Sequence, residues 1–215
     1  NPITFQKVFF EIRFTSKDKS NIIETSFKVN TENPEKKLEY SEYSNNSLVF
    51  SMNLNKLYLL KDKKDVGIGY LLKDFEIYSL LPGDIIKVGK YLFLLNYDPE
   101  NCKEIEYCYW DYNGKTIIPK NQKMIRKKDA FIDNNEFKIG KHLFDNGQET
   151  SVEEVHTIIL LDNKKIKLKS GGKSNFPTYI MLRDEPSRSK IKLKKMEQIL
   201  VEKKEYILTI TKKKP

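Results

Sequence analysis

The chain has 215 residues, long enough to bury one large core or two small ones, and its hydrophobic residues (39%) and aromatics (12%) exclude a disordered polar chain. Thirty-nine Lys and Arg against 30 Asp and Glu leave a net charge of +9, a surface that attracts polyanions or simply stays hydrated. Two cysteines and two histidines cannot assemble a structural zinc set by themselves, so neither metal nor cofactor is expected. Scarce cysteine suits a reducing compartment, and no apolar run reaches the length of a bilayer span. These features predict an intracellular protein with no membrane partner, and they leave nuclear, cytoplasmic and ciliary locations open.

In chain order, alternating apolar and polar residues rich in β-branched and aromatic types predict short strands. They fall at residues 8–14, 47–52, 57–60, 85–88, 91–95, 105–110, 157–161, 166–168, 179–182 and within 199–210. Turn-rich connectors separate them: NTENPEKK, SEYSNN, DPENCKE, DNGQE and SGGKSNFP. No segment carries a capped apolar stripe at helical spacing, so the expected fold class is all-β, built of antiparallel sandwiches. The basic tail at Lys212, Lys213 and Lys214 reads as a frayed end.

The most patterned stretch is LLPGDIIKVGKYLFLL at 80–95, two apolar strands across a tight turn. A weaker copy begins at Leu193 and ends at Ile210, with Val88 and Val201 in equivalent places. This echo predicts two consecutive sandwich domains of roughly 100 residues each, the usual domain size. The expected boundary lies near Asp98 to Asn101, giving domains 1–98 and 99–215.

The repeated hairpin, Leu81-Pro82-Gly83-Asp84-Ile85-Ile86-Lys87-Val88-Gly89 followed by Phe93, resembles the closing hairpin of the forkhead-associated (FHA) domains. Phe137-Lys138-Ile139-Gly140-Lys141 is similar to that family's Ile-Gly-Arg motif. The run from Val152 to Ile159 is similar to Val-Ser-Arg-x-His-Ala-x-Ile, and Gly172 to Tyr179 to Gly-Ser-x-Asn-Gly-Thr with one residue inserted. The first half is an eroded version, with Thr31 at the Arg position, Ser44 and Asn45 in the Ser-Arg-x-His place, and Lys64 in the last loop. The resemblance implies two consecutive FHA-like antiparallel β-sandwiches, a family that binds phosphothreonine peptides through loops at one end.

A phosphate dianion needs a cation, preferably the Arg fork, with small hydroxyl and N–H donors. Carried onto this chain, the resemblance puts Lys141 at the Arg position, Glu153 at the phosphate-binding Ser, Ser174 in the last loop and Asn175 at the residue that holds the ligand backbone. A carboxylate beside a phosphate costs about 1 kcal/mol per pair in water and about 4 at a dielectric near 20, enough to cancel the contribution of Lys141. In the first half Ser44 survives without its cation, and its ordinary role is a turn residue bonding its own backbone. His156 takes the place of a family histidine that braces loops by hydrogen bonds. Gly171-Gly172-Lys173-Ser174 lacks the spacing of a nucleotide loop and reads as a turn between strands.

The sequence therefore leads to a non-enzymatic protein-interaction or scaffold module with degenerate phosphate sites, its partner a protein that is phosphorylated, acidic or neither. The candidate contact residues are Thr31, Ser44, Asn45, Lys64, Lys141, Glu153, Ser174 and Asn175. The alternative keeps phosphothreonine-peptide binding as an adaptor, and a further one is polyanion or nucleic-acid binding through the basic surface. The strand-like placement of the aromatics speaks for core rather than a base-stacking platform and so against nucleic acid. No nucleophile with base, paired carboxylates or ligand cluster points to catalysis. A scaffold of this kind is expected within a larger assembly or chain.

Overall fold

The computed structural model describes residues 8–17, 24–39, 47–61, 66–116, 125–130, 135–144, 150–172 and 176–214. Among them are eighteen strands. The first nine are β1 (Phe9–Ser16), β2 (Glu24–Asn30), β3 (Glu35–Glu39), β4 (Ser47–Asn53), β5 (Lys56–Leu60), β6 (Ile68–Leu71), β7 (Ile77–Ser79), β8 (Asp84–Val88) and β9 (Tyr91–Asn96). The rest are β10 (Glu104–Asp111), β11 (Ile125–Ala130), β12 (Glu136–Ile139), β13 (Thr157–Asp162), β14 (Lys165–Ser170), β15 (Tyr179–Met181), β16 (Lys190–Lys192), β17 (Met196–Val201) and β18 (Lys204–Lys213). The helical content of the described residues is one 3-10 turn at Lys141–Leu143. The expected all-β class is what the chain adopts, with antiparallel open sheets in sandwich-like arrangement.

The chain divides into two compact units, and they are not sequential halves. Unit one takes residues 1–68 and 182–215, and unit two takes residues 69–181. Asp98 to Asn101, where sequence places a boundary, is instead the turn between β9 and β10, which pair inside unit two from Asp111↔Tyr91 to Glu106↔Asn96. In unit one, one sheet runs β17-β18-β1-β2 and the other β16-β5-β4-β3. In unit two, one sheet runs β11-β10-β9-β8-β15-β6, the last contributing Gly69–Leu71, and the other β12-β13-β14-β7.

Each unit is thus completed by strands from the other half of the sequence. The first described strand, β1, pairs along its whole length with β18, from Phe9↔Lys213 to Ser16↔Tyr206. The corresponding strand of the second half, β10, pairs with β9 of the first. The hairpins themselves agree residue for residue. Asp84 accepts the Leu81 N–H at 2.7 Å and Glu197 accepts the Lys194 N–H at 3.2 Å, so each buried acid holds the turn that leads into its hairpin. The turns between strands begin with Gly89 at φ 58° and Glu202 at φ 53°, the left-handed region. The two-residue turns of the β4–β5 and β13–β14 hairpins also match, with Leu54 and Asn55 at φ 47° and 59°, and Asn163 and Lys164 at 45° and 64°.

Period-two alternation fills each core. In β1 the buried residues Phe10, Ile12 and Phe14 alternate with Glu11 and Arg13, and the Phe14 ring stacks on Tyr206 of β18 with centroids 4.4 Å apart. In unit two, Ile86, Val88, Phe93, Leu95, Ile105 and Tyr107 pack against Ile139, Ile159, Ile166 and Leu168 from the facing sheet. The expected frayed tail is absent at Lys212 and Lys213. Both lie in β18 opposite Phe10 and Phe9, and Lys213 meets the Glu11 carboxylate at 2.6 Å.

The exchange makes a direct prediction. With a protease site inserted between Glu100 and Asn101, both exposed, the cut chain should elute as one species at the size of the uncut chain and separate only in denaturant. Two folded fragments that part under native conditions would show that each half closes on its own hairpin.

Candidate interaction site at one end of unit two

Three segments that sequence singles out in the second half come together through backbone hydrogen bonds. Lys141 N–H donates to the Glu153 carbonyl at 3.1 Å, His156 N–H to the Ile139 carbonyl at 2.8 Å and Gly171 N–H to the His156 carbonyl at 3.0 Å. Two glycines permit this approach. A Cβ on Gly140 would stand 1.9 Å from the Glu154 carbonyl oxygen, and one on Gly171 would stand 2.2 Å from that of Val155. The buried hydroxyls of Thr157 and Thr178 share a hydrogen bond of 2.6 Å and tie the return strand to the same cluster. Even the hairpin turn takes part: Lys90 N–H donates to Ser151 Oγ at 3.2 Å, in the loop that leads to Glu153.

Of the expected site residues, the structure brings Lys141, Glu153 and His156 together. Thr31 is exposed in a bend after β2 of unit one, where the Asn30 side chain accepts the N–H groups of Glu32 and Asn33 at 3.0 and 2.7 Å. Ser44, Asn45, Lys64, Ser174 and Asn175 lie outside the described residues.

The Lys141 ammonium lies 3.5 Å from the carboxylate of Glu154, with the lysine side chain one-third exposed and the glutamate 83% exposed. A pair this open contributes at most about 1 kcal/mol. Glu153 is half-buried, and its N–H donates to His156 Nδ1 at 3.2 Å. That bond leaves the proton of the neutral ring on Nε2. His156 is 2% exposed, and burial lowers its pKa against the upward pull of the Glu153 carboxylate and the Phe176 backbone, while Lys87 adds to the lowering. Nε2 is buried with no hydrogen-bond partner among the described residues, the Phe176 backbone favouring the charged ring without meeting hydrogen-bond geometry there.

His156 lines a cleft of about 510 Å³ together with Leu71, Asp74, Phe75, Ser170 and Pro177. Ser170, His156 and Asp74 are the residue types of a hydrolytic relay, yet their bonds are wrong for one. Ser170 Oγ donates to Asp74 at 3.0 Å, and the histidine nitrogen that a carboxylate would orient is occupied by a backbone N–H. Among the described residues no three His, Cys, Asp or Glu side chains are placed to hold a metal ion, and Cys102 and Cys108 are separate buried thiols. No described helix is long and apolar enough to cross a membrane. The wall Leu71 to Phe75 was not foreseeable as part of this site, because it comes from the first half and reaches unit two through the exchange. No family model, curated protein or solved structure matches the chain.

Two outcomes are expected. Gly140→Ala should lower stability by about 1–3 kcal/mol in urea melts, because the carbonyl it meets is backbone and must be displaced. Because the folded-state pKa of His156 lies below 6.5, the unfolded chain binds its proton first. Stability from this group is complete above pH 6.5 and is lost as pH falls below it, with a slope of at most about 1.4 kcal/mol per pH unit. His156→Gln should remove that part of the slope.

Proposed function

We propose that the protein is a non-catalytic interaction module of FHA-like design that holds a partner protein with the loops at this end of unit two, with little contribution from phosphate. The observation that carries the reading is the charge arrangement at Lys141. The cation that a phosphate would need is paired with Glu154, and Glu153 follows within the same loop where a small hydroxyl is required. A dianion entering here would displace one carboxylate and face the other, a cost comparable to what a single lysine returns. The cleft beside the loops has apolar walls from Leu71, Phe75 and Pro177, and the lysine that lines it, Lys73, pairs with Glu76 at 3.9 Å, so it suits a protein side chain better than a phosphoryl group.

A second reading, a phosphothreonine adaptor, is favoured by one feature: the Lys141–Glu154 pair is open to solvent and cheap to break. Calorimetric titration of a phosphothreonine peptide library and its unphosphorylated counterparts separates the two. Affinities within about threefold of each other are expected; a preference for phosphate of about tenfold or more that Lys141→Ala abolishes would overturn the first reading. Glu153→Ser should raise affinity for the phosphorylated peptides by about tenfold, since it replaces a repelling carboxylate with a donor.

A further inference from the structure

Two strands that occupy the same place in their units carry different residues. β7 ends the sheet β12-β13-β14-β7, and β16 ends the sheet β16-β5-β4-β3. Their registers correspond. Leu80 N–H donates to the Ile166 carbonyl at 2.9 Å, as Leu193 N–H donates to that of Leu57 at 2.8 Å. Ile77 lies opposite Lys169 on β14 and Lys190 opposite Leu60 on β5, so Ile77 takes the place of Lys190 and Ser79 that of Lys192. An edge strand presents a row of N–H and C=O groups to any passing chain, and lysine is a common means of blocking it. β16 is blocked in this way twice. β7 is not: Ile77 is 61% exposed, and Phe75 just before it is 100% exposed.

The backbone direction fits an open edge. Antiparallel pairs alternate between bonded and non-bonded, and Leu80 with Ile166 is a bonded pair, so the N–H and C=O of Ile77 point away from β14. Tyr78 turns inward onto the core of unit two, which leaves Ile77 on the outer side. Asp74 and Phe75 stand in the turn that leads into β7, closed by the Glu76 N–H on the Lys73 carbonyl at 3.0 Å, so the approach to Ile77 is acidic and apolar on a protein of net charge +9. The lysines of β14 are engaged elsewhere, Lys169 with Glu136 at 3.9 Å and Lys167 with Asp162 at 2.5 Å, while Lys73 pairs with Glu76 at 3.9 Å in an open contact that an incoming cation can exchange at a cost of at most about 1 kcal/mol.

We propose that β7 is a strand-addition site that takes an extended segment of a partner protein in which basic residues alternate with apolar ones. The added strand bonds the outward backbone of Ile77, lays its apolar side chains against Ile77 and Phe75, and meets Asp74 and Glu76 with its cations. The site shares Asp74 and Phe75 with the wall of the cleft beside the Lys141 loops, but its test turns on Ile77, which does not line that cleft, and uses no phosphate.

Fluorescence anisotropy of the full chain with an alternating lysine–valine heptapeptide and its glutamate–valine counterpart tests the proposal. The lysine peptide should bind about tenfold more tightly, the reverse of what overall charge dictates, and binding should slow hydrogen exchange of the Ile77 amide. Ile77→Lys should weaken it by about tenfold with an unchanged melting temperature, because Lys190 already occupies the matching position of unit one. Equal affinities, a preference for the glutamate peptide, or insensitivity to Ile77→Lys would overturn the proposal. So would concentration-dependent self-association of the free protein that Ile77→Lys removes, since that assigns the edge to a second copy of the chain.

Discussion

A β-hairpin satisfies only its inner row of backbone groups; the outer N–H and C=O groups of its second strand need a further partner. In this protein both closing hairpins find that partner in the opposite half of the sequence, β9 beside β10 and β18 beside β1. Everything else is arranged around these two pairings. They decide that residues 1–68 share a core with 182–215, that Leu71 to Phe75 flank His156, and that a hairpin turn from the first half holds the loop at Ser151.

The site at the end of unit two shows how backbone geometry and side-chain chemistry can separate. Glycines at 140 and 171, the buried histidine and the threonine pair preserve a close meeting of three loops. Among the described residues those loops present Lys141, paired with Glu154, and a second carboxylate at Glu153, so the lysine is offset and one negative charge is left over. Such an arrangement supports recognition by shape and hydrogen bonding more readily than recognition by charge.

The strands with strong apolar patterning were legible in the sequence. The segments at 8–14, 85–88, 91–95, 105–110 and 157–161 fall on β1, β8, β9, β10 and β13; β1 and β13 bury alternate residues, and β8, β9 and β10 bury nearly continuous apolar runs, so each carries a strong apolar signature. β3 (Glu-Lys-Lys-Leu-Glu), β7 and β16 were not, since an edge strand is short or charged and has little apolar signature. The exchange was invisible for a different reason. Leu80 with Asp84, Ile86 and Val88, and Leu193 with Glu197, Ile199 and Val201, are nearly the same message, and a local pattern that encodes a hairpin does not say which of two similar first strands it will meet. The same ambiguity hid half of the cleft. Lys141, Glu153 and His156 could be found because each belongs to a local motif, whereas Asp74 reaches Ser170 across 96 positions of sequence.

The pairing of β1 with β18 also sets an order of events during synthesis. Residues 69–181 contain every strand of unit two, so that unit can close while the ribosome is still adding the remainder. Strand β1 is made before unit two and completed after it: Phe10, Ile12 and Phe14 wait for Lys212, Ile210 and Leu208 before their sheet is complete. Through that interval the nascent chain carries an apolar strand lacking its neighbour, a period of aggregation risk in which a chaperone has something to hold.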